Sequence, residues 1–376
     1  MAPVPSNRFP SRVEELSPEL LTSVMAERTP GVRVEEVQVA HTAQCGDGFA
    51  STADRVSLDL RYAPGCDFGL PSRVLLKTML MQPHAPRAMY LNEVRFYRDI
   101  RHELPIEAPQ AYGSLFDEET GQFGVLMEDL ALRSARFPNA TTPIRIEEMR
   151  SLVDTLATLH ARYWASPRLE ADLAWVATPC SGGMFPIFDT YGLELIKDQV
   201  QKNEFKAELI RPLDRTLDQL WEQLWKVQKI LASEPHTLLH GDPHIGNTYL
   251  LPDAPVPDAL LPHAGGGLLD WQLMVKGRWA HDFTYLLVTG LDTELRRSHE
   301  RELIDFYLDG LRRRGVESAP SAEQAWRLYR QSVIWGLVIG WLITPPTNYG
   351  EAITVANLTR LVAAVQDLET LRALDD

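Results

Sequence analysis

The chain has 376 residues, 45% of them hydrophobic and 23% charged, a composition that folds and a length that accommodates two lobes of ordinary domain size. Its net charge of −14 argues against a nucleic-acid partner, because phosphate backbones reward clustered Lys and Arg. Cys45, Cys66 and Cys180 are few, odd in number and far apart, which excludes a disulfide-rich scaffold and a Cys-x-x-Cys metal site and fits a reducing cytoplasm.

The first residues, Met-Ala-Pro-Val-Pro-Ser-Asn-Arg, lack the charged start and apolar run of a secretory signal. Leu16, Leu20, Leu21 and Met25 then recur at helical spacing behind Ser17-Pro18-Glu19, an N-cap and first turn, so a short helix is expected within 13–28. Val32 to Val39, Ala53 to Tyr62 and Val74 to Met79 read as three strands. Gly46 and Gly48 lie between the first two, where glycine permits either a loop closing over nucleotide phosphates or an ordinary hairpin turn. Lys77 ends the apolar run Val74-Leu75-Leu76, and Glu93 follows sixteen residues later within a helical pattern, so its carboxylate can project toward that lysine. Phe123 to Met127 is a further apolar stretch, followed by Glu128, Asp129 and Leu130.

Beyond residue 144 the pattern turns helical. Leu152, Leu156, Leu159 and His160 share one face, with His160 read as a packed structural histidine, and 190–232 is amphipathic. Residues 248–251 and 268–269 read as strands separated by the Pro-rich 252–258 and by Gly265-Gly266-Gly267. Three more helices are expected over 281–312, 321–343 and 350–374. The most apolar stretch, 333–343, falls short of the roughly 20 residues that span a bilayer and reads as a buried helix.

The chemistry concentrates in His240-Gly241-Asp242-Pro243-His244-Ile245-Gly246-Asn247 and in Leu268-Leu269-Asp270-Trp271-Gln272. A phosphoryl-transfer site needs groups that position reactants and oxygens that hold Mg²⁺. In the protein-kinase catalytic loop an Asp meets the attacking hydroxyl, an Asn five positions on binds metal, and a later Asp at a strand end holds Mg²⁺. Asp242, Asn247 and Asp270 fit those roles by order and spacing. His240 and His244, four apart with no third ligand nearby, make a poor zinc site and are read as supporting the loop. Asp282 is expected to cap the next helix or to brace the loop through its backbone.

These motifs resemble the aminoglycoside phosphotransferase and choline-kinase-like superfamily, whose loop reads His-Gly-Asp-x-His-x-x-Asn. The Asp270-Trp271-Gln272 ending, with Asp282 beyond it, is similar to the ecdysteroid-kinase-like branch and related bacterial phosphotransferases. The resemblance implies an α+β, bilobal protein-kinase-like fold, with a small antiparallel-sheet N-lobe over residues 1–129 and a larger, mostly α-helical C-lobe over 130–376. It implies ATP and Mg²⁺ as cofactors and a small-molecule hydroxyl as acceptor. Asp242 would be the base, Asn247 and Asp270 the metal ligands, and Lys77 with Glu93 the clamp on the nucleotide phosphates. Gly46 and Gly48 would belong to the phosphate loop, and the backbone of Glu128, Asp129 and Leu130 to the adenine hinge. Two alternatives use the same residues: a nucleotide-binding regulator without turnover, against which the intact Asp242 counts, and adenylyl transfer.

For the acceptor, two features point to an apolar or aromatic body rather than a polycation. All nine Trp, from Trp164 to Trp341, fall in the expected C-lobe. Residues 1–129 hold 12 basic and 19 acidic residues against 25 and 32 in the rest, so the larger lobe is no more acidic in net charge than the smaller.

Overall fold

The computed structural model describes residues 9–43, 52–80, 85–252 and 264–375. The chain is α+β and divides into two compact units. The first comprises residues up to Leu104 together with Ala108–Ser134; the second comprises Pro105–Glu107 and everything from Ala135 on.

In the first unit, α1 (Pro18–Ala26) begins where the Ser17 hydroxyl accepts from the Leu20 N–H at 3.2 Å. β1 (Val34–Ala43), β2 (Asp54–Tyr62), β3 (Arg73–Thr78), β4 (Ala111–Phe116) and β5 (Phe123–Met127) form an antiparallel sheet in the order β1-β2-β3-β5-β4. Val56, Leu58 and Leu60 of β2 and Val74 and Leu76 of β3 alternate into one core with Leu20, Leu21 and Met25 of α1. Strand alternation therefore sends Lys77 to the other side of β3 from Val74 and Leu76. The carboxylate of Glu93 on α2 (Arg87–Arg95) meets it there.

The second unit is mainly helical: α3 (Ile146–Tyr163), α4 (Phe185–Lys202), α5 (Glu204–Ile210), α6 (Leu217–Leu231), α7 (Ala280–Gly290), α8 (Thr293–Arg313), α9 (Ala322–Trp335), α10 (Pro346–Tyr349), α11 (Glu351–Asp367) and α12 (Thr370–Ala373). Two short antiparallel pairs complete it. β6 (Thr237–Leu239) pairs with β9 (Val275–Gly277), and β7 (Thr248–Pro252) with β8 (Ala264–Leu268). The segment 105–107 belongs with this unit because Glu107 is tied to the second pair: its carbonyl accepts from the Leu268 N–H at 3.1 Å and its carboxylate from the Tyr249 hydroxyl at 2.6 Å.

Several expectations change in detail. Gly265-Gly266-Gly267 is not a separator but lies in β8, where the missing side chains let α3 lie against the strand backbone. The Gly266 N–H donates to Ser151 Oγ at 2.9 Å, its carbonyl accepts from Thr155 Oγ1 at 2.6 Å, and a Cβ on it would stand 2.9 Å from the Leu152 nitrogen. Opposite Gly267 sits Tyr249, whose ring fills the space its side chain leaves. The helix expected over 281–312 breaks after Gly290, because the Asp292 carboxylate caps α8 by accepting from the Leu295 N–H at 2.9 Å. The helix expected over 321–343 continues α9 as a wider, π-type turn over Gly336–Leu342. Burial of that turn follows the expectation, and no helix among the described residues is long and apolar enough to cross a membrane. Its last carbonyls are gathered by one cation: Lys206 Nζ donates to the carbonyls of Trp341, Leu342 and Thr344 at 3.1, 2.9 and 2.6 Å.

Gly266→Ala is expected to destabilise the protein by about 1–3 kcal/mol, since the new methyl meets backbone that cannot swing aside. Lys206→Met should cost at least as much, about 2–4 kcal/mol, by leaving buried carbonyls without a donor. Urea midpoints measure both; a wild-type midpoint for Gly266→Ala would refute the close approach.

Candidate active site

The loop between β6 and β7 is held from below by one carboxylate. Asp282, fully buried in the first turn of α7, accepts the His240 N–H at 2.7 Å on one oxygen and the Gly241 N–H at 2.9 Å on the other. His160 Nε2 reaches the same carboxylate at 3.2 Å, and its Nδ1 lies 2.7 Å from the Tyr307 hydroxyl. Burial works against the Asp282 charge. The hydrogen bond and charge of His160 nonetheless hold the carboxyl below its ordinary value.

Three more histidines lock the loop. His240 Nε2 donates to the Leu269 carbonyl at 2.9 Å, so its Nδ1 is the acceptor for the Asp242 N–H at 3.2 Å. His281 Nε2 donates to the Gly241 carbonyl at 2.8 Å. His244 Nδ1 accepts from the Gly246 N–H at 3.1 Å. Burial lowers all three below the usual histidine range, His244 to about 3, so each is a neutral ring of defined tautomer. Gly241 has φ +85°, and a Cβ there would lie 1.9 Å from the Leu273 carbonyl oxygen. Only glycine serves at that turn.

What this frame presents is Asp242. Asn247 Nδ2 donates to both the Asp242 carbonyl, at 2.9 Å, and Asp242 Oδ2, at 3.0 Å. Two acceptors on Nδ2 fix the amide's orientation and leave Oδ1 as an oxygen ligand. The Leu269 N–H donates to the Asn247 carbonyl at 3.0 Å, which ties the loop to the residue before Asp270. Asp270 adopts the left-handed conformation with φ +67°, a conformation that costs most residues about 1 kcal/mol and that Asp tolerates better. Burial first, and the charge of Asp270 second, push the Asp242 carboxyl well above its ordinary value. Asn247 Oδ1 and the Asp270 carboxylate are a hard-oxygen pair of the kind that Mg²⁺ takes.

Of the other candidate residues, Lys77 Nζ lies 2.8 Å from the Glu93 carboxylate, both side chains being almost wholly buried. Glu128 is engaged locally: its N–H donates to the Gln110 carbonyl at 2.8 Å and its carboxylate lies 3.3 Å from Arg133. Asp129 caps the following turn by accepting from the Ala131 N–H, and Leu130 is buried. Gly46 and Gly48 lie outside the described residues.

The chain matches the model of the ecdysteroid kinase-like family over residues 45–316, well over half its length. It belongs to that family. Among curated proteins, the uncharacterized oxidoreductase dhs-27 of Caenorhabditis elegans is 30% identical over 101 residues. That match takes in 26% of this chain and 12% of the relative, so the chain spans only a small part of that protein's length. Solved structures similar to it include Plasmodium vivax ethanolamine kinase, at 15% identity and TM-score 0.46, covering 88% of this chain and 81% of that one. The GDP complex of wild-type aminoglycoside 2′-phosphotransferase-IIIa matches at 13% identity and TM-score 0.45, covering 94% and 99%. Macrolide 2′-phosphotransferase MphH from Brachybacterium faecium matches at 14% identity and TM-score 0.40, covering 88% and 96%.

Sequence reasoning about this chain missed His281 and Tyr307 as supports of the loop. His281 stands beside Asp282 in the helix, the one local signal for it, whereas Tyr307 reaches His160 from a different helix and left no mark in spacing.

The same groups set a pH response. Asp282, His240 and His281 all have lowered values in the folded chain, so on the acid side the unfolded chain binds more protons. Their stabilisation is complete above pH 6.5 and is lost as pH falls, the histidines' share first and that of Asp282 below its ordinary value of 3.8. These groups are expected to lower Tm from pH 7 to pH 4, against the opposite contribution of the raised Asp242 carboxyl, so the fall should steepen in Asp242→Ala. Asp282→Asn should lower stability by about 2–4 kcal/mol at pH 7 and flatten the most acidic part of that curve; an unchanged Tm at pH 7 would contradict the bracing role.

Proposed function

We propose that the protein transfers the γ-phosphate of ATP to a hydroxyl of a small molecule, with Asp242 as the base and Mg²⁺ held by Asn247 and Asp270. The observation that carries this reading is the Asp242–Asn247–Asp270 group. The Asn247 amide is fixed with Oδ1 turned away from Asp242, and the charge of Asp270 bears on the Asp242 carboxyl. When bound, the ion supplies charge neutralisation on the nucleotide phosphates. The burial and like charge that raise Asp242 are the effects a neighbouring cation opposes, so the ionised carboxylate can orient the acceptor hydroxyl and take its proton. Lys77, aimed by its ion pair with Glu93, is assigned to the phosphates. The Glu128 N–H is already used by Gln110, so the adenine edge is assigned to the Glu128 carbonyl and the Leu130 N–H.

For the acceptor we assign an alcohol with an apolar or aromatic body, in keeping with a steroid-type substrate. The count of tryptophans is weaker support than composition alone implies, because Trp271, Trp279 and Trp341 are all core residues. Better support is local. The rings of Tyr285, Trp341 and Tyr349 stand edge-on to His244 at 5.9, 5.5 and 5.5 Å, two residues from Asp242, and Tyr285 feels the Asp242 charge.

Asp242→Ala is expected to lower kcat by about 10²–10⁴-fold while ATP affinity stays within a few-fold of wild type. Equal loss of nucleotide binding would reject the base assignment. Asp270→Asn and Asn247→Ala should instead abolish the Mg²⁺-dependent part of the ATP thermal shift, and a normal shift in both would exclude them as ligands. Phosphorylation assays with steroid and macrolide alcohols beside kanamycin-type aminoglycosides test the acceptor class; turnover of the aminoglycosides alone would overturn it.

A further inference from the structure

Helix α7 meets the loop between β6 and β7 along one stripe. His281, Tyr285 and Thr289 lie four residues apart and Asp282 three before Tyr285, so all four occupy neighbouring positions on one face. Three of them direct polar atoms at the loop backbone. His281 bonds the Gly241 carbonyl, Asp282 accepts from the His240 and Gly241 N–H groups, and Thr289 Oγ1 accepts from the Ile245 N–H at 3.2 Å. Tyr285 differs: its ring stands beside His244, and its hydroxyl forms no hydrogen bond of normal geometry among the described residues. The Trp341 indole N–H acts on that oxygen from outside such geometry.

The π-type turn over Gly336–Leu342 makes room for that side chain. A Cβ on Gly336 would stand 2.7 Å from the Tyr285 ring, and a Cβ on Gly340 would stand 2.4 Å from its hydroxyl oxygen. Both positions have to lack a side chain for the ring to reach this far. Gly340 is partly exposed while every other residue of the turn is buried, so the hydroxyl stands against the point where the turn opens. Burial first, and the charge of Asp242 second, push the phenol well above its ordinary value, and Tyr285 therefore presents a neutral O–H with a proton to donate. On Asp242 itself, Oδ2 is taken by the Asn247 amide, which leaves Oδ1 for an incoming group.

We propose that Tyr285 is a specificity-determining residue for the acceptor: its O–H donates to the oxygen of the reacting hydroxyl, whose own proton points to Asp242. This rests on the reading of Asp242 as the base. An alcohol accepts from one group and donates to the other at once, and it keeps a lone pair for phosphorus. An ether or ketone accepts without donating, and a protonated amine donates without accepting, so neither satisfies both groups. In the transfer the acceptor oxygen bonds the γ-phosphorus and the bond from that phosphorus to the leaving ADP oxygen breaks. The alcohol's proton passes to Asp242, and Tyr285 keeps its own.

Tyr285→Phe tests it, since the variant loses the oxygen and keeps the ring. With a steroid or macrolide alcohol that the wild type phosphorylates, KM for the alcohol should rise about three- to tenfold, the worth of one hydrogen bond. The Kd for a non-hydrolysable ATP analogue with Mg²⁺ and the Tm should stay at wild-type values. Hydrolysis of ATP without acceptor, where water takes the alcohol's place, should fall by a similar factor; it decides the matter if no alcohol of the panel is turned over. Gly340→Ala, whose methyl would displace the hydroxyl, should raise KM in the same direction. Unchanged KM and hydrolysis in Tyr285→Phe would overturn the assignment and leave Asp242 standing. A loss of Tm or of nucleotide affinity that accounts for the change would reduce Tyr285 to a packing role and overturn it equally. Neither transfer nor hydrolysis by the wild type would refute the reading of Asp242, and this proposal with it.

Discussion

Everything the loop offers to chemistry depends on one buried carboxylate accepting two consecutive backbone N–H groups. An isolated charge at the depth of Asp282 would be expensive, and it is tolerated because His240 N–H, Gly241 N–H and His160 all direct hydrogen toward it. In return the peptide between His240 and Gly241 cannot rotate. The Gly241 carbonyl is pinned by His281 on its other side, and Asp242 leaves the frame in a single direction. The neutral His240 follows from the same burial: one ring nitrogen donates and the other accepts, and the loop backbone supplies both partners.

A second constraint is close approach of backbone to backbone. β8 ends two residues before Asp270, and Gly266 lets α3 lie directly on that strand, with Ser151 and Thr155 bonding its peptide groups. Tyr249 fills the space at Gly267 and anchors Glu107. The position of Asp270 is therefore set by a strand that is thin on purpose, pressed between a helix and an aromatic ring. The Lys77–Glu93 pair in the other unit rests on a comparable dependence, since strand alternation alone directs Lys77 away from the core and toward α2.

Much of this was legible in the sequence, and for identifiable reasons. Strand β2 and helices α1 and α6 show their periodicity because one face of each is buried and the other is not. The loop residues drew attention by their spacing, and the structure joins Asp242 to Asn247 by a hydrogen bond. Gly265-Gly266-Gly267 was misread because glycine usually breaks elements, and only the packing of α3 explains it as strand. The break between α7 and α8 was passed over although Gly290 and the Asp292 cap mark it, where the sequence turns from the apolar α7 to the charged first half of α8. The tryptophan count says less than the local geometry, because Trp271, Trp279, Trp335 and Trp341 are buried in the core. Tyr307 was invisible because its partner lies 147 positions away.

The central claim is that this chain moves a phosphoryl group, and the product decides it. Incubation of the purified protein with ATP, Mg²⁺ and an alcohol panel weighted toward steroids, followed by mass spectrometry of acceptor and nucleotide, reads the transfer directly. The account predicts an acceptor heavier by one phosphoryl group, an equal amount of ADP, and neither product with Asp242→Ala. An acceptor carrying AMP with release of pyrophosphate, or unchanged product formation by Asp242→Ala, would contradict it.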